Sequence, residues 1–244
     1  MTLKRQLLAL SIGFFSIMSS RAQASTCDKI QVQIATTPVI EQSPARLSRA
    51  VERSRSANKE YDVFLFGDSL ADGWIPFQQR DFSGSRTYNF GIGGDKTQET
   101  LWRLNSLLPP MPEPKNAILL IGTNNLTDIS ALPCGIAAGI TENVSALLTK
   151  WQSAKIFVVP ILPRGPSFSF RSTDRLEILT LLTERFRDDL RVSIVSIDEK
   201  ALTCGGTVPC QYFLPDNTHL SGEGYVKLRE FIEQASLAKF GSGL

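Results

Sequence analysis

The chain holds a single histidine, His219, and an aspartate, Asp216, stands three residues before it. An aspartate on a turn at that spacing can hold one imidazole nitrogen and fix the tautomer. The other nitrogen is then free to take a proton. The nucleophile that such a base would serve is Ser69. It closes the stretch Asp62-Val63-Phe64-Leu65-Phe66-Gly67-Asp68-Ser69, an apolar run of strand length that stops in Gly-Asp-Ser. Taken singly, each residue has a plainer reading. Serines at strand ends usually cap or turn the chain, and a lone histidine is more often structural than catalytic. Their joint occurrence, in this order, carries the weight.

Acyl transfer needs a nucleophile, a base, a group that orients the base, and donors for the oxyanion. Ser69, His219 and Asp216 fill the first three roles. Two further segments end in polar or glycine-rich turns, Gly91-Ile92-Gly93-Gly94-Asp95 and Gly122-Thr123-Asn124-Asn125. They suggest the donors: the backbone N–H of Ser69, the backbone N–H of Gly94 and the side-chain amide of Asn124. Glycine suits the second position because no Cβ blocks the approach of a substrate. Against this, Gly93-Gly94 reads equally as a tight turn, and Asn124 as a residue that satisfies loop carbonyls. Asp68 reads as a structural turn residue. Gly67-x-Ser69 differs from the α/β-hydrolase elbow, because Ala71 stands where that motif has its second glycine. Gly91-x-Gly93-Gly94 lacks the G-x-G-x-x-G spacing of a dinucleotide site. No cofactor or metal is expected, since the cysteine spacings and the missing histidines do not make a zinc site.

These segments must be brought together by the elements around them. Strands are expected at Asp62–Phe66, Thr87–Phe90, Ala117–Ile121, Lys155–Val159 and Val192–Ile197. Helices are expected from Pro44 to about Ala57, Thr97 to Leu107, Gly135 to Trp151, Asp174 to Leu190, and after a Ser221 cap. In the fourth helix Leu179, Leu182, Phe186 and Leu190 share one face. Leu228, Phe231, Ile232 and Ala235 turn inward in the last. Residues 25–43 read as a polar, irregular strap. Strands alternating with helices five times predict an α/β fold, a five-stranded parallel sheet with helices on both faces and right-handed crossovers. In such a sheet the strand ends that carry Ser69, Gly94 and Asn124 lie on one edge.

Composition narrows the class. The 244 residues are 42% hydrophobic and 20% charged, an ordinary globular balance. Lys4 and Arg5, the apolar run Leu7 to Met18 and Ala22-Gln23-Ala24 read as a signal peptide over residues 1–24, followed by one domain over residues 25–244. The apolar run is short of the ~20 residues a spanning helix needs, so no stable membrane insertion is expected after cleavage. Removing residues 1–24 takes away Lys4, Arg5 and Arg21 and no acid, which moves the formal charge from +2 to −1. Nothing in that balance argues for nucleic acid. An even set of cysteines, Cys27, Cys134, Cys204 and Cys210, favours disulfides in an exported chain, secreted or periplasmic. Cys204 and Cys210 could close a small loop and leave Cys27 with Cys134, but three pairings are open.

Gly67-Asp68-Ser69-Leu70, Gly94, Gly122-x-Asn124 and Asp216-x-x-His219 resemble, in order, the four blocks of the SGNH (GDSL) esterase superfamily. Five stretches resemble in particular the branch of the intracellular platelet-activating-factor acetylhydrolase α subunits. They are Asn89-Phe90-Gly91-Ile92-Gly93-Gly94-Asp95, Leu101-Trp102-Arg103-Leu104, Gly122-Thr123-Asn124-Asn125, Leu162-Pro163-Arg164-Gly165 and His219-Leu220-Ser221-Gly222. The resemblance covers roughly residues 60–235. It implies a three-layer α/β/α flavodoxin-like sandwich, a Ser69–Asp216–His219 triad and an oxyanion hole from Ser69, Gly94 and Asn124. The chain departs from that branch in its signal peptide and cysteines, in Thr218 before the histidine, and in the loop from Cys204 to Cys210. The expected activity is hydrolysis of carboxylic esters, short-acyl and acetyl-type first, through an acyl-serine. The substrate would be a small-molecule, lipid or glycan ester. The alternatives are a lysophospholipase or thioesterase for longer chains, an acyltransferase, or a silent glycan-binding module on the same fold. The acetylhydrolase subunits dimerise, so a homodimer is a further expectation, without an assigned interface.

Overall fold

The computed structural model describes residues 27–57 and 59–244, and the signal-peptide reading of residues 1–24 lies outside them. The strands are β1 (Val63–Gly67), β2 (Thr87–Gly91), β3 (Asn116–Leu120), β4 (Lys155–Val159) and β5 (Val192–Ile194). All pair in parallel, in the order β2-β1-β3-β4-β5. The helices are α1 (Lys29–Thr36), α2 (Pro44–Ser56), α3 (Ser69–Asp72), α4 (Gln78–Asp81), α5 (Thr97–Trp102), α6 (Pro133–Lys150), α7 (Ser172–Arg185), α8 (Glu199–Leu202) and α9 (Gly222–Phe240).

Successive side chains of a strand point to opposite faces. Phe64 and Phe66 of β1 enter one core layer with Ile140, Val144 and Leu147 of α6 and Ile178 and Leu182 of α7. Val63 and Leu65 enter the other, with Trp74 and with Leu228, Phe231 and Ile232 of α9. Both faces are covered, which is why β1 and β3 are buried along their whole length and read as unbroken apolar runs. From β1 the chain steps out to β2 and then crosses back to β3. That reversal is the topological switch point, where open α/β sheets form their ligand crevice at the carboxyl ends of the strands.

Three expectations are corrected. Residues 25–43 are not irregular throughout, because α1 occupies Lys29–Thr36, with Asp28 Oδ1 accepting the Ile30 N–H at 2.9 Å. Its apolar residues gave no inward stripe, and Ile30 and Ile34 are 64% and 56% exposed. The helix docks instead by backbone: a Cβ on Gly139 of α6 would lie 2.8 Å from the Ala35 carbonyl oxygen. A disulfide from Cys27 to Cys134 pins this contact, and a second joins Cys204 to Cys210. In the second correction, α7 ends at Arg185 and leaves Leu190 83% exposed. Asp188 and Asp189 follow directly, where the negative end of the helix dipole disfavours acids. Its buried face is Arg175, Ile178 and Leu182, with Phe186 just beyond. In the third, β5 stops at Ile194 because it pairs with only three residues of β4, Ile156 to Val158.

Candidate active site

The carboxyl end of β1 turns sharply into α3. Gly67 has φ +143°, and a Cβ there would lie 1.8 Å from the Leu120 carbonyl oxygen, so the strand can end this way only as glycine. Asp68 then caps α3, its Oδ1 accepting the Leu70 N–H at 2.9 Å. Ser69 is the first residue of that helix and is half-buried. Its position is tied from two sides. Asn89 of β2 donates to the Ala71 carbonyl at 2.7 Å, and Tyr225 of α9 donates its hydroxyl to the Leu70 carbonyl at 2.9 Å.

The loop before α9 brings the histidine. Leu214 N–H donates to the His219 carbonyl at 2.8 Å, Phe213 and Leu220 form an antiparallel bridge, and Gly165 N–H donates to the Asn217 carbonyl at 2.9 Å. In this frame His219 Nε2 lies 2.9 Å from Ser69 Oγ, and His219 Nδ1 lies 2.6 Å from Asp216 Oδ2. Asp216 Oδ1 also accepts the backbone N–H groups of Thr218 and His219, each at 2.9 Å. Partial burial pushes the Asp216 carboxyl up. The hydrogen bonds from the His219 ring and from the two backbone N–H groups outweigh it and hold the group below its usual range. A carboxylate at Nδ1 places the ring proton on that nitrogen and turns the Nε2 lone pair toward Ser69.

The three expected donors converge on the same edge. Among the described residues, neither the Ser69 N–H nor the Gly94 N–H makes a hydrogen bond within the protein. Asn124 follows β3, and its Nδ2 donates one hydrogen to the Asp95 carbonyl at 2.8 Å, which leaves the other free. Asn125 turns away and accepts the Thr97 N–H at 3.0 Å to start α5.

Several residues frame this site without having been read as part of it. Arg103 is fully buried and braces two strand ends and the loop after β2 at once. Its Nε donates to Asp95 Oδ2 at 2.7 Å, Nη1 to the Phe90 carbonyl at 2.5 Å and Nη2 to the Gly67 carbonyl at 3.0 Å. The guanidinium lies over the neighbouring Phe66 and Phe90 rings, 5.0 and 4.7 Å from their centroids. The expected helix from Thr97 to Leu107 changes character here. It becomes a π-helical turn over Arg103–Leu107, with Leu108 N–H donating to the Arg103 carbonyl at 2.8 Å. Burial pushes Asp95 up to about 6 against the charge and hydrogen bond of Arg103, and the same burial lowers Arg103. An arginine begins so high that it stays charged. Arg164 reaches from the loop after β4 to Thr123, donating from Nη1 to its carbonyl at 2.9 Å and to its hydroxyl at 2.8 Å. In the sequence these two stood in Leu101-Trp102-Arg103-Leu104 and Leu162-Pro163-Arg164-Gly165, stretches that carried the resemblance but gave neither arginine a role.

Leu70 and Phe168 are packed inside. Each is 5% exposed, and Phe168 rests on Phe213 with ring centroids 4.7 Å apart. Two surface concavities of about 620 and 540 Å³ lie elsewhere, one lined by Glu113, Lys115 and Ser242, the other by Arg80, Val226 and Glu233. Neither includes any of the site residues, so they are not taken as the substrate site. Among the described residues no group of three or more His, Cys, Asp and Glu side chains could hold a metal ion.

Residues 65–227 match the GDSL-like lipase/acylhydrolase family. The chain belongs to that family. It is 31% identical over 173 residues to platelet-activating factor acetylhydrolase IB subunit alpha2 of Rattus norvegicus, covering 70% of this chain and 74% of the relative. Its fold is that of a GDSL-like lipase from Bacteroides thetaiotaomicron, with a TM-score of 0.57 and 17% identity over 77% of this chain and 95% of that one. An acetyl xylan esterase from Geobacillus stearothermophilus superposes with a TM-score of 0.51 and 15% identity, over 77% and 97% of the two chains. The chain is therefore an enzyme, an ester hydrolase of the GDSL type.

Proposed function

We propose that this chain is an exported serine esterase that removes short, acetyl-type acyl groups through an acyl-Ser69 intermediate. One observation carries the reading: the continuous hydrogen-bonded line from Ser69 Oγ through His219 to Asp216, at 2.9 and 2.6 Å, beside three free donors. As Ser69 Oγ attacks the ester carbonyl, His219 Nε2 takes its proton. Asp216 stabilises the imidazolium that forms. The carbonyl oxygen becomes an oxyanion and is met by the N–H groups of Ser69 and Gly94 and the free Nδ2 hydrogen of Asn124. Collapse breaks the ester C–O bond, and His219 returns the proton to the departing alcohol. Water then repeats the sequence on the acyl-serine and releases the acid.

The short-acyl preference is supported by the 31% identity to platelet-activating factor acetylhydrolase IB subunit alpha2, and Leu70 and Phe168 are packed into the core. The half-exposed His219 and exposed Gly94 leave the alcohol side open to a bulky group. Export is supported by the two disulfides and by the character of residues 1–24. Residues 25–244 then form the mature hydrolase domain. Among the described residues no helix is long and apolar enough to cross a membrane.

The test is hydrolysis of p-nitrophenyl esters from acetate to palmitate by the mature chain and by Ser69→Ala. Turnover should peak at acetate and be lost in the variant by several orders of magnitude, because the serine and its base act as a unit. A maximum at long chains would replace this reading with a lipase-like one. Equal rates in the two proteins would end the esterase reading.

A further inference from the structure

The segment before β1 adds something to the site. Both Glu41 and Arg46 precede residue 65, where the family match begins. Glu41 is 4% exposed, and its Oε1 accepts the Ser43 N–H at 2.6 Å and Arg46 Nη2 at 2.8 Å. Its Oε2 is buried without a partner. Leaving a carboxylate oxygen in that state costs stability, so the contact it secures needs a reason. The other end of the guanidinium shows one. Arg46 Nη1 lies 2.1 Å from the point where a Cβ on Gly94 would be. It makes no hydrogen bond within the protein among the described residues. The arginine therefore stands against the Cα face of the oxyanion loop, beside the free Gly94 N–H, with unused donors at the rim.

The rim around it is positive. Asp72 pairs with Arg53 at 2.6 Å and Arg49 at 3.9 Å and accepts the Gly93 N–H at 3.1 Å. Together with Glu41 it leaves two carboxylates against three arginines. Arg49, 51% exposed in its side chain, sits one turn along α2 from Arg46. Gly93 connects this patch to the nucleophile, since a Cβ there would lie 3.6 Å from Ser69 Cβ.

We propose that Arg46, oriented by buried Glu41, is a specificity residue that binds a carboxylate or phosphate carried on the ester substrate close to the scissile bond. The inference rests on the esterase reading and names its substrate class, esters of acidic alcohols. Nη2 is held by Glu41 and Nε is buried, so Nη1 is the charged donor left to face either anion.

The test compares 3-acetoxybenzoate with its methyl ester, and 3-acetoxyphenyl phosphate with 3-acetoxyanisole, for the wild type, Arg46→Gln, Arg46→Lys and Glu41→Gln. The readout is the ratio of kcat/KM for the anionic ester over its neutral partner. In Arg46→Gln the ratio should fall about 10- to 100-fold through KM, the loss of one charge-assisted contact. Arg46→Lys should keep part of it, and Glu41→Gln should move it the same way by a smaller factor. Added salt should lower the ratio in the wild type more than in Arg46→Gln. The pair with the larger change tells carboxylate from phosphate. If Arg46→Gln fails to fold, Arg46→Lys and Glu41→Gln carry the same test. A ratio that stays constant across the variants, with the neutral esters still cleaved, overturns this proposal alone. Absence of any Ser69-dependent cleavage of the neutral esters overturns the esterase reading and this one with it.

Discussion

Replacing Asp68 by asparagine should remove much of the loss of stability that this protein suffers between mildly acidic and mildly alkaline pH. Asp68 is wholly buried beneath Ser69, with Oδ1 bonded to the Leu70 N–H and Oδ2 unpartnered among the described residues. Burial pushes its carboxyl up to about 7 from the ordinary 3.8, against the Leu70 hydrogen bond and the charges of Arg164 and Arg103. The folded chain therefore holds a proton that the unfolded chain has already released. That contribution is complete below pH 3.8 and is lost as pH rises through about 7. A shift of about three units is worth ~4 kcal/mol in total, more than half of it lost between pH 5 and 8. Asparagine keeps the oxygen that caps Leu70 and does not titrate. Urea unfolding of both proteins at several pH values isolates the effect, because the other titrating groups are common to both. The stability of Asp68→Asn relative to wild type should improve by about 2–3 kcal/mol from pH 5 to 8, whatever its offset. A difference that stays constant over that range would refute the assignment of a neutral buried acid beneath Ser69.

Three further outcomes are expected. Asn124→Ala should lower kcat by about 10²- to 10³-fold with little change in KM, and a loss below tenfold would remove it from the oxyanion site. Arg103→Met should destabilise by about 3–5 kcal/mol in thermal or urea unfolding, because Asp95 is left buried and unpaired. Arg103→Lys should recover little, since one ammonium cannot span Asp95, Phe90 and Gly67. Cys27→Ser combined with Cys134→Ser opens a crosslink across 107 positions and should cost about 4–5 kcal/mol by urea midpoint, while p-nitrophenyl acetate turnover per folded molecule persists.

The parts of the fold that were legible in the sequence are those where chemistry is local. The apolar runs at β1 and β3 can only be buried strands, and the turns that stop them announce the carboxyl edge of the sheet. Alternation of strand and helix then forces a parallel sheet. Asp216 and His219 were legible because their spacing is short and the chain has no second histidine. Where legibility failed, the contact was made by backbone or by a break in a pattern. Helix α1 presents isoleucines to solvent and its backbone to Gly139, so an apolar stripe was the wrong signal for it. Leu190 continued a helical pattern past the point where two aspartates end the helix.

What the sequence could not announce is the set of charges that holds the site in place. A positively charged residue in a chain reads as surface, because burying a charge is expensive unless it is paired and bonded in full. Arg103 meets that condition with Asp95 and two strand-end carbonyls, and one of these, of Gly67, comes from β1, so no short window of sequence contains the whole reason for its burial. The same holds for Glu41 and Arg46, which are close in sequence but take their meaning from Gly94, on a loop that the sheet carries to them. A charge pair of this kind is weak evidence for stability, since apolar packing of the same volume can do as well. Its value here is directional. Arg103 fixes the ends of β1 and β2 against the Asp95 loop, and Asp95 in turn aims the Asn124 amide. The donors proposed for the oxyanion are thus set before substrate arrives, the condition under which fixed dipoles stabilise a developing charge without reorganising.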